Sequence, residues 1–234
     1  MTKSYPNTLF IFTAMNRWLP LFFAALFVSC EEAPDTRSRF LISIENLSGT
    51  EQVPGVILSS GVFFTQTSGS PLFFNFSFDY GDGLEWLAED GIIDTLLSTL
   101  PDRQEVVAVG GFPDILPGET LSFEVDAQYG QFFNLATMFT ESNDLFYAFH
   151  DGGLNLFEPN GDPINGDLTE ELFLWDLGSE RNEQPYVGAS QPGRQPDFNF
   201  GESTPSDVVQ LVDDGFAYPA VNEVVRITFN AINL

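Results

Sequence analysis

The stretch ETLSFEVDA, Glu119 to Ala127, alternates without a fault: Leu121, Phe123 and Val125 fall on one side, Ser122, Glu124 and Asp126 on the other. Side chains along an extended strand point to opposite faces in turn, so the pattern gives a strand one dry face and one wet face. Wound as a helix, the same residues would scatter their apolar groups around the axis. The end of the chain repeats the pattern in EVVRITFNAIN, where Val225, Ile227, Phe229 and Ala231 share a face against Arg226 and Thr228. FLISIEN (Phe40–Asn46) sets Phe40, Ile42 and Ile44 together and runs into an Asn-Leu-Ser-Gly turn. VILSSGVFFTQ (Val56–Gln66) and PLFFNFSF (Pro71–Phe78) are further strand candidates, rich in aromatic and β-branched residues. Strands with one apolar face must bury it against a second layer. That requirement points to an all-β fold, an antiparallel β-sandwich, and 25 phenylalanines can fill the space between its sheets.

One stretch follows a helical period instead. GLEWLAEDGIIDTLLSTLP brings Leu84, Leu87 and Ala88 to one side, breaks at Gly91, resumes a stripe through Ile92, Leu96 and Leu100, and stops at Pro101. It reads as a short helical insertion. Loops rich in Ser, Gly, Pro and Asn separate the other segments, above all 155–166 and 188–205. With no internal repeat and no linker between separate cores, residues 40–234 form a single domain.

Before that domain the chain reads as an export signal. The first 29 residues hold Lys3 and Arg17 and no acid, and WLPLFFAALFVSC is an apolar run closed by Cys30, the chain's one cysteine. The run is short for a permanent membrane span. FVSC resembles the bacterial lipobox, in which the cysteine is acylated and becomes the mature N-terminus; Phe27 stands where leucine is usual. A start at Met15 gives a signal of ordinary lipoprotein length. Residues 1–29 are therefore expected to be a lipoprotein signal, Cys30 the lipidated residue, and 30–39 a flexible tether. The acids after the cysteine resemble surface-export signals of bacterial lipoproteins. This places the protein in the cell envelope, at the outer membrane or cell surface, or makes it a secreted protein without lipidation.

Charge narrows the partners. Aspartate and glutamate number 34 against 8 lysines and arginines, and after Lys3 no lysine remains. Such a surface repels nucleic acid and sulfated glycans and attracts cations. An acidic, lysine-poor surface also stays soluble in saline surroundings, a role requiring no specific site.

Six phrases now stand in order: FLISIENLS, GLEWLAEDG (Gly83–Gly91), ILPGETLSFEV (Ile115–Val125), LATMFTESNDLFYAF (Leu135–Phe149), WDLGSERNE (Trp175–Glu183) and VVRITF. Together they resemble the bacterial form of the spondin N-terminal domain family, from Phe40 to about the end of the chain. The resemblance implies a β-sandwich similar to calcium-dependent membrane-binding domains, serving as an adhesion or ligand-binding module with a bound calcium. Where the family reads TNDAF and DAGTE, this chain reads SNDLF and DLGSE, keeping Asn143, Asp144, Asp176, Gly178 and Glu180.

Calcium takes six to eight oxygens, which loops supply readily. Asp144, Asp176, Glu180 and Glu89 are the expected metal ligands, if their loops share one end of the sandwich. On this reading Asp176→Asn blunts a calcium response, and Glu183 is idle. The bland alternative has Glu180 and Glu183 pairing with Arg181 or facing water. Asp213-Asp214-Gly215 and NGDPINGD read as turns. The one histidine, His150, has no nucleophile fixed beside it, so catalysis is not expected. The partner is expected to be an extracellular protein or glycan. Two other functions fit an acidic exported chain: a glycan hydrolase using paired carboxylates, and a purely structural surface protein.

Overall fold

The computed structural model describes residues 36–67, 71–73, 75–79, 81–150, 152–204 and 208–232. The signal, Cys30 and most of the tether lie outside them. The described residues belong to one compact unit. Its strands are β1 (Arg37–Asn46), β2 (Leu58–Gln66), β3 (Ser77–Phe78), β4 (Val106–Phe112), β5 (Thr120–Gln128), β6 (Phe132–Phe139), β7 (Leu145–Phe149), β8 (Leu154–Asn155), β9 (Gly166–Asp167), β10 (Leu172–Asp176), β11 (Val208–Leu211) and β12 (Val225–Ile232). The helices are α1 (Leu84–Asp90), α2 (Asp94–Thr99) and α3 (Val221–Val224).

Two antiparallel sheets form a sandwich. The smaller runs β5-β1-β12-β9; the larger runs β3-β11-β10-β7-β6-β2-β4, with β8 paired to β6. The alternating segments build the small sheet, with Phe40 opposite Val125 and Ala231, and Ile42 opposite Phe123 and Phe229. Their apolar faces pack against Phe133, Leu135, Leu145, Tyr147 and Leu174 of the large sheet. Phe133 and Phe229 meet edge to face with ring centres 5.4 Å apart, a favourable aromatic geometry.

The large sheet is covered on its other side too. Val62, Phe64, Phe146, Ala148 and Trp175 pack there against Leu84, Leu87, Ala88, Leu96 and Leu100 of the helical insertion. Dry on both faces, β6 and β7 lose the alternation that marked the small sheet, and all five residues of β7 are buried.

The helical stretch divides where expected. Gly91 caps α1 with φ of 68°, and its N–H donates to the Leu87 carbonyl at 3.0 Å. A side chain there would strain the backbone and press on Ser59, 2.7 Å from the position of a Cβ. The Pro71–Phe78 segment differs from its reading as a full strand: among its described residues only Ser77 and Phe78 pair, with β11. Leu72 and Phe73 are adjacent and both buried, which a pleat does not allow on one face, and Phe76 has φ of 59°. Phe73 instead plugs the helical side of the large sheet against Phe146 and Trp175.

Candidate functional site

Strand register gathers the predicted acids. β7 begins just after Asp144, and β10 ends at Asp176, which pairs with Leu145; the Leu177 N–H then donates to the Asp144 carbonyl at 3.2 Å. Asp144, Asp176 and the Leu177–Glu183 loop therefore occupy one end of the large sheet. The C-terminal turn of α1 brings Glu89 to the same end. Sheet alternation assigns the sides. Asp144 shares the parity of Phe146 and faces the helical layer, whereas Asp176 shares that of Leu174 and faces the gap between the sheets.

On the helical side, Asp144 and Glu89 face one loop, which also carries Glu180. Asp144 Oδ2 accepts the Glu180 backbone N–H at 2.9 Å. The Ser179 hydroxyl lies 2.6 Å from Glu89 Oε1 and 3.3 Å from Asp144 Oδ2. It has a single proton to donate, so it cannot satisfy both carboxylates. Glu180 Oε2 accepts from the Asn143 side-chain amide at 3.3 Å, and its Oε1 from the Gly201 N–H at 2.7 Å. Asp144 is wholly buried and Glu89 is 4% exposed, yet Asp144 Oδ1 and Glu89 Oε2 have no hydrogen-bond partner among the described residues.

Nothing in the described structure neutralises this charge. The ion pairs of Arg39, Arg103, Arg181, Arg194 and Arg226 are made with Asp126, Asp82, Glu202, Glu141 and Glu45, none of them in the cluster. Burial pushes the Glu89 carboxyl up to about 7, with the nearby Glu180, Glu85 and Asp90 charges adding to the rise. Burial, then repulsion from Asp176, holds Asp144 well above the usual carboxylate range. Burial also raises Glu180 and Asp176. Desolvation disfavours an isolated anion and like charges compound the cost, so the cluster takes up either protons or a cation.

Asp176 behaves differently from its expected partners. Its Oδ1 accepts the Gly178 N–H at 2.8 Å and its Oδ2 the Asn182 amide at 2.8 Å, so both oxygens hold its own loop closed. Its charge reaches Asp144 without sharing a donor with it. Glu183 corrects the reading that it is idle: its carboxylate accepts the Ser190 N–H at 2.8 Å and shapes the loop 183–190. The pairing with Arg181 does not occur, since Arg181 meets Glu202 at the surface and Glu180 is buried. Asp90, at the end of α1, accepts from the Gln195 side chain and the Asn199 N–H. Ser179, Asn182 and Gly201 went unnoticed in the sequence because single hydroxyl, amide and glycine residues in a loop carry no periodic signal.

Among the described residues, no three carboxylate, imidazole or thiol groups stand close enough to hold a metal unaided. A hard cation here would complete its shell with neutral oxygens, from Ser179, backbone carbonyls and water. The donors present are all oxygen, as calcium or magnesium requires. His150 lies at the opposite end of β7, with its ring 4.4 Å from that of Phe173. The chain matches no protein-family model and no curated protein.

Proposed function

We propose that this chain is a binding module of spondin type whose loop end holds a calcium ion. Asp144, Glu180 and Glu89 supply the charged oxygens and Ser179 a neutral one. Asp176 braces the loop and adds field. The observation that carries this reading is the wholly buried Asp144 carboxylate, with one oxygen lacking a donor and no cationic side chain to offset it. A divalent cation would answer both defects and relieve the competition for the Ser179 proton.

The ion would also order the surface above it. The 197–204 segment hangs from the cluster by the Asn199 N–H on Asp90, the Gly201 N–H on Glu180 and the Thr204 N–H on the Ser179 carbonyl. Fixing the carboxylates fixes this segment, which presents Phe198 and Phe200 to solvent. An extracellular protein or glycan then meets a preformed surface. Lipidation at Cys30 would keep the module on the cell envelope. The glycan-hydrolase reading fits less well, because its two carboxylates must flank an open cleft, and Asp144 and Glu89 are buried.

The test is thermal melting of the full chain with calcium, with magnesium and with chelator. A ligand at 100 times its dissociation constant stabilises a fold by about 2.7 kcal/mol. Calcium is expected to raise the melting temperature by several degrees; identical curves in calcium and chelator overturn the metal reading.

A further inference from the structure

The two sheets end in four edges, and three of them are short or defended. β3 and β9 are two residues long, and the β5 edge carries Glu124 and Asp126 beside Arg39. β4 is different. Its seven residues, VVAVGGF from Val106 to Phe112, include no charge and no proline, and among the described residues no strand pairs with its outer side. An edge strand leaves alternate N–H and C=O groups without ladder partners, and a long uncharged edge invites a further strand. The bulge between Thr65 and Gln66 of β2 disturbs the start of β4, but from Ala108 to Phe112 the register is unbroken.

The surroundings of the edge suit a strand too. Val107 is 54% exposed, and Gly110 and Gly111 put no side chain in the way. On the inter-sheet side, the half-buried Phe123 ring of β5 stacks with its centre 6.1 Å from that of Phe112. On the helical side, half-buried Ile93 and Leu97 of α2 lie against Gly111. Side chains of an added strand, alternating in direction, would find an apolar surface on each face.

Charge selects the occupant. Glu105 precedes the edge and the exposed Asp114 follows it, while Arg103 is turned to Asp82 and the Pro71 carbonyl. A second copy paired antiparallel about Val109 would bring Glu105 opposite Pro113, next to Asp114, at both ends, between chains each of net charge −26. A foreign strand with basic ends is instead attracted by the same acids. We propose that β4 is a docking edge for an extended segment of a partner protein, apolar and β-branched in its middle and carrying Lys or Arg at both ends. Main-chain hydrogen bonds hold the segment, and the acids at each end select it. In the sheet β4 lies three strands from β7, so the edge is distinct from the carboxylate cluster and needs no calcium.

The test is amide hydrogen exchange by NMR on the full chain in chelator, with the end-blocked peptide Lys-Val-Thr-Val-Thr-Val-Lys. Controls are two versions methylated on one or the other alternate set of backbone nitrogens, and one with glutamate at both ends. The lysine peptide is expected to slow exchange at alternate amides of β4 by about tenfold at saturation. Methylation of one set should abolish this protection and methylation of the other retain it. Glutamate ends should weaken binding by about threefold to tenfold. Val107→Lys puts a charge on the edge and should abolish protection, while Val107→Thr should keep it, both with unchanged melting. No protection of β4 at millimolar peptide, equal binding of the glutamate version, or binding retained in Val107→Lys overturns the proposal. Protection that grows with protein concentration in the absence of peptide identifies a second copy as the occupant and overturns it as well.

Discussion

The Glu180 carboxylate is seated directly against Gly201, accepting its N–H at 2.7 Å, and a Cβ at position 201 would collide with the same carboxylate. Glu180 could swing aside only by giving up Asn143 as well. Gly201→Ala is therefore expected to destabilise the domain by about 1–3 kcal/mol. Urea unfolding measures it, and an unchanged midpoint would mean the loop shifts freely.

Acidity should act on this fold in an unusual direction. Carboxylates usually ionise more easily in the folded state, which loses stability as pH falls. Here burial raises Glu89, Asp144, Glu180 and Asp176. The folded state then holds protons that the unfolded chain has released, so stability declines as pH rises. For Glu89 the decline spans the interval from its ordinary value near 4.5 to about 7. In chelator, melting temperature should be higher at pH 5.5 than at pH 7.5. Calcium should flatten that dependence and bind more weakly at the lower pH, since ion and protons compete. A melting temperature in chelator that climbs with pH across this range contradicts the assignment.

Asp144→Asn separates charge from shape. The amide keeps an oxygen for the Glu180 N–H but removes the buried negative charge. Without calcium the variant should melt no lower than the parent. With calcium it should gain nothing, losing the stabilisation of about 2.7 kcal/mol expected at 100 times the dissociation constant. A calcium response of parental size would place the ion elsewhere.

Asp176→Asn should behave differently from Asp144→Asn, although the sequence leads one to expect that Asp176→Asn blunts a calcium response. Its two oxygens are engaged by Gly178 and Asn182, so an amide replaces one acceptor with a donor facing the Asn182 amide. The expected result is a loss of about 1–2 kcal/mol in both calcium and chelator. Calorimetry should show calcium affinity changed less than by Asp144→Asn; a larger effect at Asp176 would reverse the roles given to the two residues.

The small sheet was legible because it has a wet side. β1, β5 and β12 each expose one face, and alternation records that in the residues. The helical insertion was legible for a related reason, since Gly91 and Pro101 punctuate a stripe that covers the large sheet. The large sheet was harder to read. β6 and β7 are buried on both sides, and β4 holds a run of valines and glycines whose partners lie on β2. Phe63 covers Gly110 and Phe112 covers Gly61 across that pair, a complementarity visible only once the register is known. At the site, Glu89 and Asp144 both lie within reach of the Ser179 hydroxyl, and the Glu180 N–H donates to Asp144. Ser179, Asn182 and Gly201 acquire their roles from contacts between loops distant in the sequence, which composition does not encode.

Strand β1 enters the domain at Arg37, opposite Gln128, and leaves at Asn46, whose side-chain amide donates to the carbonyls of Val56 and Ile115. Ile115 bonds to Leu58, and Leu58 pairs with Phe139 at the end of β6 that leads to Asp144. The chain thus comes in at the end of the sandwich farthest from the carboxylates, ten residues of extended strand away, or about 33 Å. An attachment made ahead of Thr36 grips the domain by its heel. The acidic loops form the toe, at the opposite end.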